Sequence, residues 1–489
     1  MSQTGLMTRK SVRDIMKADE AEGHRLVKTL GPVSITSMGI GAIIGAGIFV
    51  LTGTAAAKFA GPAIMLSFVL GGIACAFVGL CYSELAAMIP VAGSTYSYTY
   101  ATLGEIFAWI IGWDLILEYA MGAATVAVGW SGYIASLLHN FGIDIPATLA
   151  AAPGTVIKLA DGTETTALFN LPAAVIIAAL TAMLVLGTKE SSRLNNVMVA
   201  VKLTVVVAFI LLGAMYVNSA HWHPLIPDNT GTFGSYGYSG ILRGAGVVFF
   251  AFIGFDAVST AAQEATRPQR DMPIGILGSL AICTLLYIAV AAVLTGLVPY
   301  TDLNVPDPVA KGVDAIGMPW FSVLIKFGAL SGLTTVILVM LYGQGRIFYT
   351  MAVDGLLPRF FNRVHPTYRT PYLSHILIGS IVAVVAALVP IGILGELVSI
   401  GTLFAFILVC GAVIYLRRSD AEVFRPFRVP GVPVVPVLGI LFCLLLMAGL
   451  PVDTWLRLFV WLIIGMVIYF AYSRSHSTLR RSGAQTRAL

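Results

Sequence analysis

Charge is scarce in this chain: of its 489 residues only 11% are Asp, Glu, Lys or Arg, whereas 58% are hydrophobic. So few charges cannot cover the surface of a soluble globule of that length, which excludes a water-soluble enzyme or binding domain and leaves a membrane bundle. Cysteine is sparse too. The five cysteines (Cys75, Cys81, Cys283, Cys410 and Cys443) all sit inside apolar runs, with no CxxC pair. That spacing excludes a disulfide framework and a thiolate metal centre, and leaves packing residues. Neither HExxH nor GxSxG occurs, and His221, His223, His365 and His375 are scattered. A hydrolytic centre is therefore not expected, and no catalytic residue, metal or cofactor is assigned. The first 33 residues are polar and charged and end in a Gly31-Pro32 breaker. They do not read as a secretory signal, so the first apolar run is expected to remain as a membrane span.

What is abundant is apolar length. Crossing a bilayer takes roughly 20 residues of helix. Runs of that kind fall at about 34–55, 62–89, 105–138, 170–187, 194–216, 239–262, 274–298, 319–350, 372–389, 392–416, 433–450 and 455–473. The expected fold class is an all-α membrane protein with twelve transmembrane helices and no separate soluble domain. Most Lys and Arg residues then gather on one side. The other side holds only Lys58, Lys158, Lys311 and Arg457. Basic loops stay inside, so both termini are expected to be cytoplasmic in a multi-pass protein of the cell (plasma or inner) membrane.

Two spans carry signs of interruption. The first contains Gly39, Gly41, Gly45 and Gly47 within a stretch ending at Phe49. Glycine weakens a helix and tolerates non-helical dihedrals. Close packing through the small-xxx-small pair Gly41 and Gly45 is the alternative. The sixth places Asp256 beside Gly254 deep in an apolar run, where an acid is costly without a partner or water. That aspartate could instead cap a restarted half-helix. Broken helices in corresponding positions of two five-helix halves are the mark of an inverted-repeat transporter. Bare amides at the start of a half-helix favour a carboxylate, and bare carbonyls at the end of one favour an ammonium. A zwitterion fits two such breaks facing each other.

The ordered motifs make the resemblance specific. They are Gly39 to Phe49, Pro90 to Tyr96, Gly112 to Tyr119, Phe250 to Thr260, Asn304-Val305-Pro306, Tyr342 to Arg346, Asp354 to Pro358 and Phe427 to Pro430. Over nearly its whole length the sequence resembles the amino acid–polyamine–organocation transporters, and among them the cationic-amino-acid-transporter-like subfamily. The resemblance implies a LeuT-type fold of five plus five inverted helices with two additional C-terminal helices. Its divisions would be a cytoplasmic N-terminal segment 1–33, a first repeat 34–216, a second repeat 239–416, a closing pair 433–473 and a cytoplasmic tail 474–489. It also implies that the substrate carboxylate meets the backbone at Ile43, Gly45, Ala46 and Gly47. The ammonium would meet carbonyls of Phe250, Ala251 and Ile253, with Phe252 and Phe255 flanking as gate or packing residues. Many relatives carry Thr or Ser where Ala46 stands, so a hydroxyl contact is missing here while the amide remains.

Several charges and one methionine complete the candidate set. Lys202 either snorkels to the interface or, as the resemblance implies, is the proton-coupling residue. Asp114 and Glu118 are spaced i,i+4 on one helix face. Glu118, deeper in the span, is the candidate proton relay or pocket contact; Asp114, like Asp256, is a structural or gating candidate. Glu84 reads as an interface residue, and Lys326 and Arg243 as snorkelling side chains. Arg243 has no counterpart in the family's motifs. Met340 falls where the resemblance places the pocket wall, though ordinary packing explains it equally; a bulky thioether there would disfavour a long basic substrate.

The expected function is secondary active, proton-coupled import of small or medium neutral L-amino acids such as alanine by alternating access. An amino acid exchanger or a cationic amino acid transporter on the same fold are the alternatives, and a non-transporting sensor or scaffold ranks last. Expected partners are the amino acid, protons and the lipid bilayer, with a small single-span membrane subunit as an optional addition; nucleic acid is not expected.

Overall fold

The computed structural model describes residues 30–89, 94–158, 164–187, 192–263, 265–368, 370–419, 422 and 424–481. Most of the basic N-terminal segment, the Pro90 to Gly93 part of one motif, Lys189, Arg369 and the end of the tail with Arg487 lie outside the described residues. The architecture is predominantly helical. Among the described residues, seven helical stretches are long and apolar enough to cross a membrane: Gly47–Met88, Glu105–Asn140, Val197–Ala214, Pro268–Leu297, Pro319–Val353, Ile391–Ser419 and Val452–His476. Five apolar helices are shorter, and two of these, Pro32–Ile43 and Gly237–Phe252, are short because their spans are interrupted. Such a chain is an integral membrane protein. Within hydrocarbon only helices satisfy their own backbone.

In chain order the main helices are α1 (Pro32–Ile43), α2 (Ile64–Met88), α3 (Ser94–Thr102), α4 (Glu105–Asn140), α5 (Leu171–Leu186) and α6 (Ser192–Ala214). They continue with α7 (Gly237–Val248), α8 (Pro268–Leu297), α9 (Pro308–Ala315), α10 (Pro319–Val353) and α11 (Tyr372–Leu388). The last are α12 (Ile391–Ser419), α13 (Val434–Ala448) and α14 (Val452–Ile468). One antiparallel hairpin, Val156–Lys158 with Glu164–Thr166, decorates the long loop after α4. Neither α3 nor α9 is visible as an apolar run, because one is rich in tyrosine and the other in charge and proline.

Polar clusters fasten the ends of the bundle. On the face that carries Leu30 and Arg481, Glu84 of α2 is buried and accepts two bonds from Arg417 of α12, at 2.9 and 2.7 Å, and one from the Val429 amide at 2.7 Å. Arg425 stands 3.3 Å from the same carboxylate. Glu84 thus joins α2 to α12 as the buried partner of an ion pair. At the start of α4, the buried Glu105 accepts from Tyr469 (2.9 Å), Arg480 (2.6 Å) and Ser477. The Thr478 amide and hydroxyl both reach the Asp354 carbonyl at 3.0 Å, beyond α10. The segment after α14 is therefore seated on the bundle.

Between these ends, α14 is joined to α4 by tryptophans. An indole N–H in an apolar setting must find an acceptor. Trp113 donates to the Trp461 carbonyl (2.8 Å), Trp461 to the Trp113 carbonyl (3.2 Å) and Trp109 to the Gly465 carbonyl (2.9 Å). The rings of Trp113 and Trp461 stack at 4.5 Å. Gly465 permits that approach, since a Cβ there would lie 2.4 Å from Trp113 Cδ1.

Candidate functional site

Both glycine-marked spans are interrupted. Helix α1 stops at Ile43, and Ile44 turns to an extended conformation (φ −72°, ψ 105°) before the chain winds again from Gly47 as a π-helical turn, Gly47–Leu51. Beyond α7, a 3-10 turn over Phe249–Phe252 ends at an extended Ile253, and Gly254 takes φ +110°, a value L side chains rarely adopt. A 3-10 segment, Asp256–Gln263, follows.

The two breaks press against each other. A Cβ on Gly47 would lie 2.2 Å from Ala251 Cα, and one on Gly254 would lie 2.7 Å from the Ala42 carbonyl oxygen. The pairs 47 with 251 and 42 with 254 place the two strands of backbone side by side in opposite directions. Only glycine fits at either point.

One side chain spans the gap. Tyr287 of α8 is fully buried, and its hydroxyl lies 2.8 Å from the Ile43 carbonyl and 2.8 Å from the Ala251 carbonyl. A phenol has a single proton to give, so the two breaks compete for it. Nothing in the sequence marks this residue's role, because a tyrosine in an apolar span looks like packing. Tyr133 of α4 similarly donates to the Phe49 carbonyl at 2.8 Å.

Lys202 of α6 is fully buried and does not snorkel. Its Nζ donates to the Gly41 carbonyl and, at 3.2 Å, to the Ile44 carbonyl. These are carbonyls of the last turn of α1 and of the residue just past it, where helix-end carbonyls lack intrahelical partners and a cation is favoured.

Beside the breaks lies a small cavity lined by Ala42, Glu118, Tyr119, Ile253, Gly254, Asp256, Val336, Val339 and Met340. It encloses about 20 Å³, roughly the room of one water. Anything larger enters only when the walls part. Met340 lines this cavity and also packs over Gly122 of α4, where a Cβ would lie 2.8 Å from its sulfur. Of the sequence candidates, Glu118, Asp256, Ile253 and Met340 converge on the cavity. Ile43, Gly45, Ala46, Gly47, Phe250 and Ala251 form the adjoining backbone.

The remaining candidates stand apart. Phe252 packs edge-on against Phe68 and Tyr287, with centroids at 6.3 and 5.5 Å. Phe255 sits among Tyr82 and Phe406, at 5.5 and 5.0 Å. Asp114 is fully buried against Gly401 of α12, and neither carboxyl oxygen has a hydrogen-bond partner among the described residues.

Comparison with known proteins agrees with this architecture. A family model described as amino acid permease matches residues 30–473. The chain is 49% identical to the branched-chain amino acid permease BcaP of Bacillus subtilis (strain 168), covering 97% of this chain and 98% of that protein. It is 46% identical to the methylthioribose transporter of the same organism, over 94% of this chain and 97% of that one. It is also 35% identical to cationic amino acid transporter 4, vacuolar, of Arabidopsis thaliana, over 84% of this chain and 67% of that one. Two interrupted helices crossing at glycine, and a match running from the first helix to the end of the last, lead to one assignment: the chain belongs to the amino acid permease family of the amino acid–polyamine–organocation superfamily.

Proposed function

We propose that this permease imports neutral, aliphatic L-amino acids together with protons, by alternating access of a twelve-span, five-plus-five inverted repeat with two further helices. Its place is the plasma or inner membrane with both termini cytoplasmic, a reading supported by the clustering of Lys and Arg. The observation that carries the proposal is the antiparallel crossing of the two breaks at Gly47–Ala251 and Ala42–Gly254. The amides opening the second half of the first span suit a carboxylate, and the Phe250, Ala251 and Ile253 carbonyls suit an ammonium. The substrate side chain then faces Ile253, Val336, Val339 and Met340, an apolar wall matched to valine, leucine or isoleucine. The similarity to a branched-chain permease favours the same class.

Proton coupling rests on Lys202. As an ammonium it ties α6 to the end of α1; as a neutral amine it has one donor and a full charge fewer to hold those carbonyls. Losing the proton loosens α1, and regaining it seats the helix again. Glu118, in the cavity wall, is the second proton-carrying candidate, with Asp256 beside it in the same wall and Asp114 as a structural element of α4.

A second reading comes from the methylthioribose relative. That thioether sugar has neither carboxylate nor ammonium; its methylthio group would meet the apolar wall and its hydroxyls the bare amides and carbonyls of the breaks. A thermal-shift screen of the purified protein against the common amino acids and methylthioribose, at acid and neutral pH, decides between them. A ligand at a hundred times its Kd stabilises by about 2.7 kcal/mol. Stabilisation by branched-chain amino acids, stronger at one pH, is expected. A response to methylthioribose alone, or to arginine and lysine alone, refutes the proposal.

A further inference from the structure

Arg243, which has no counterpart in the family's motifs, is not needed by the mechanism above, yet it is held from several directions. It lies on α7, the half-helix that leads into the Phe249–Phe252 turn. Its Nη2 is 2.5 Å from Glu396 Oε1 on α12, and both side chains are largely shielded, with 12% and 13% exposure. The other carboxylate oxygen accepts from Thr454 of α14 at 2.7 Å. The guanidinium also stands 5.0 Å over the ring of Phe59, at the far end of the first span. One charge pair thus gathers α7, α12, α14 and the first span on the face opposite the termini.

Next to Glu396, Gly395 faces Leu51: a Cβ added at Gly395 would lie 3.3 Å from Leu51 Cδ1. Leu51 is buried and closes the turn that restarts the first span. On the transport reading, the entrance from that face to the breaks runs past this contact, beneath the ion pair. Opening the route means moving α7 away from α12, and these side chains are what joins them there. Parting a shielded pair is costly while its charges stay dry and cheaper once water enters. Such a pair holds the closed form and yields to a hydrated open one.

We propose that Arg243 and Glu396 form the outer latch of the permease, closing the external entrance by holding α7 to α12. The inference rests on the transport reading and its outward orientation, but its test needs no substrate. A cysteine is placed at Leu51 (Leu51→Cys), and its reaction with a membrane-impermeant methanethiosulfonate added outside reconstituted full-length protein is timed. The five native cysteines are buried, and the chain without the added cysteine supplies the baseline. Glu396→Gln and Arg243→Gln should each speed the reaction about tenfold. The double exchange Arg243→Glu with Glu396→Arg should bring the rate back toward that of the parent. Thr454→Val, which frees one oxygen of Glu396 and leaves both charges, should give a smaller increase and serves if the charge variants fail to fold. A merely structural pair would lower thermal stability and leave the labelling rate of folded protein unchanged. Unchanged labelling in these variants overturns the latch, whether or not a ligand has been found in the thermal-shift screen.

Discussion

Replacing Lys202 by glutamine removes the charge and shortens the side chain by one bond while keeping an amide donor. Two acceptors are at stake, the carbonyls of Gly41 and Ile44. Hydrogen bonds to a charged group contribute about 1.5–3 kcal/mol each, and an amide recovers at most part of one. The net loss is at least about 2–3 kcal/mol. At 1.4 kcal/mol per decade, that moves the balance between seated and released α1 by about 30- to 150-fold. Such a shift leaves little of the proton-dependent difference that wild-type Lys202 would provide. In proteoliposomes, accumulation driven by an inward proton gradient should vanish in Lys202→Gln, whereas counterflow without a gradient should persist. A variant that keeps full gradient-dependent accumulation refutes the reasoning. Wild-type exchange that ignores the gradient altogether would favour an antiporter.

Tyr287→Phe deprives the Ile43 and Ala251 carbonyls of their shared donor, a change of about 1 kcal/mol. Substrate Kd, read by thermal shift, should weaken about fivefold with folding intact. Gly47→Ala forces a methyl into the Ala251 backbone and should abolish transport in protein that still reaches the membrane; normal uptake would contradict the crossing of the breaks. Met340→Ser opens the wall over Gly122 and should improve binding of larger or basic amino acids by about tenfold or more, so an unchanged substrate range counts against the pocket. Glu84→Ala leaves Arg417 and Arg425 without their carboxylate. Breaking a buried pair this way costs about 3–5 kcal/mol, visible as a large fall in apparent melting temperature in detergent.

The spans were legible because hydrocarbon demands long apolar runs, and the breaks because glycines cluster where a helix would otherwise prefer leucine. Gly45 could be named from sequence for that reason, and Gly254 because an acid stands beside it deep in an apolar run. Side chains that act by meeting distant backbone were not legible. Tyr287 finds Ile43 and Ala251 across 244 and 36 residues of chain, and no local pattern announces such a meeting. Lys326 reads as a snorkelling lysine, but it is buried and donates to Asn140 at 3.0 Å. Arg243 misled in the same way. A charge near a span's end has a default explanation in the interface, and only the fold reveals a partner from another helix. The helix Ser94–Thr102 escaped for the opposite reason: its tyrosines and threonines carry no apolar period, and its burial comes from neighbours rather than from its own composition.

The seat of the chain's last described residues has a practical side. Glu105 receives Arg480, Ser477 and Tyr469 together, so a reporter fused immediately after Ser473 would strip a buried carboxylate of two donors, the Arg480 cation among them, at the foot of α4. Attachment beyond Arg481 leaves that arrangement whole. Anyone engineering a fluorescent or affinity fusion of this permease should treat residues 474–481 as bundle, and begin the linker only after them.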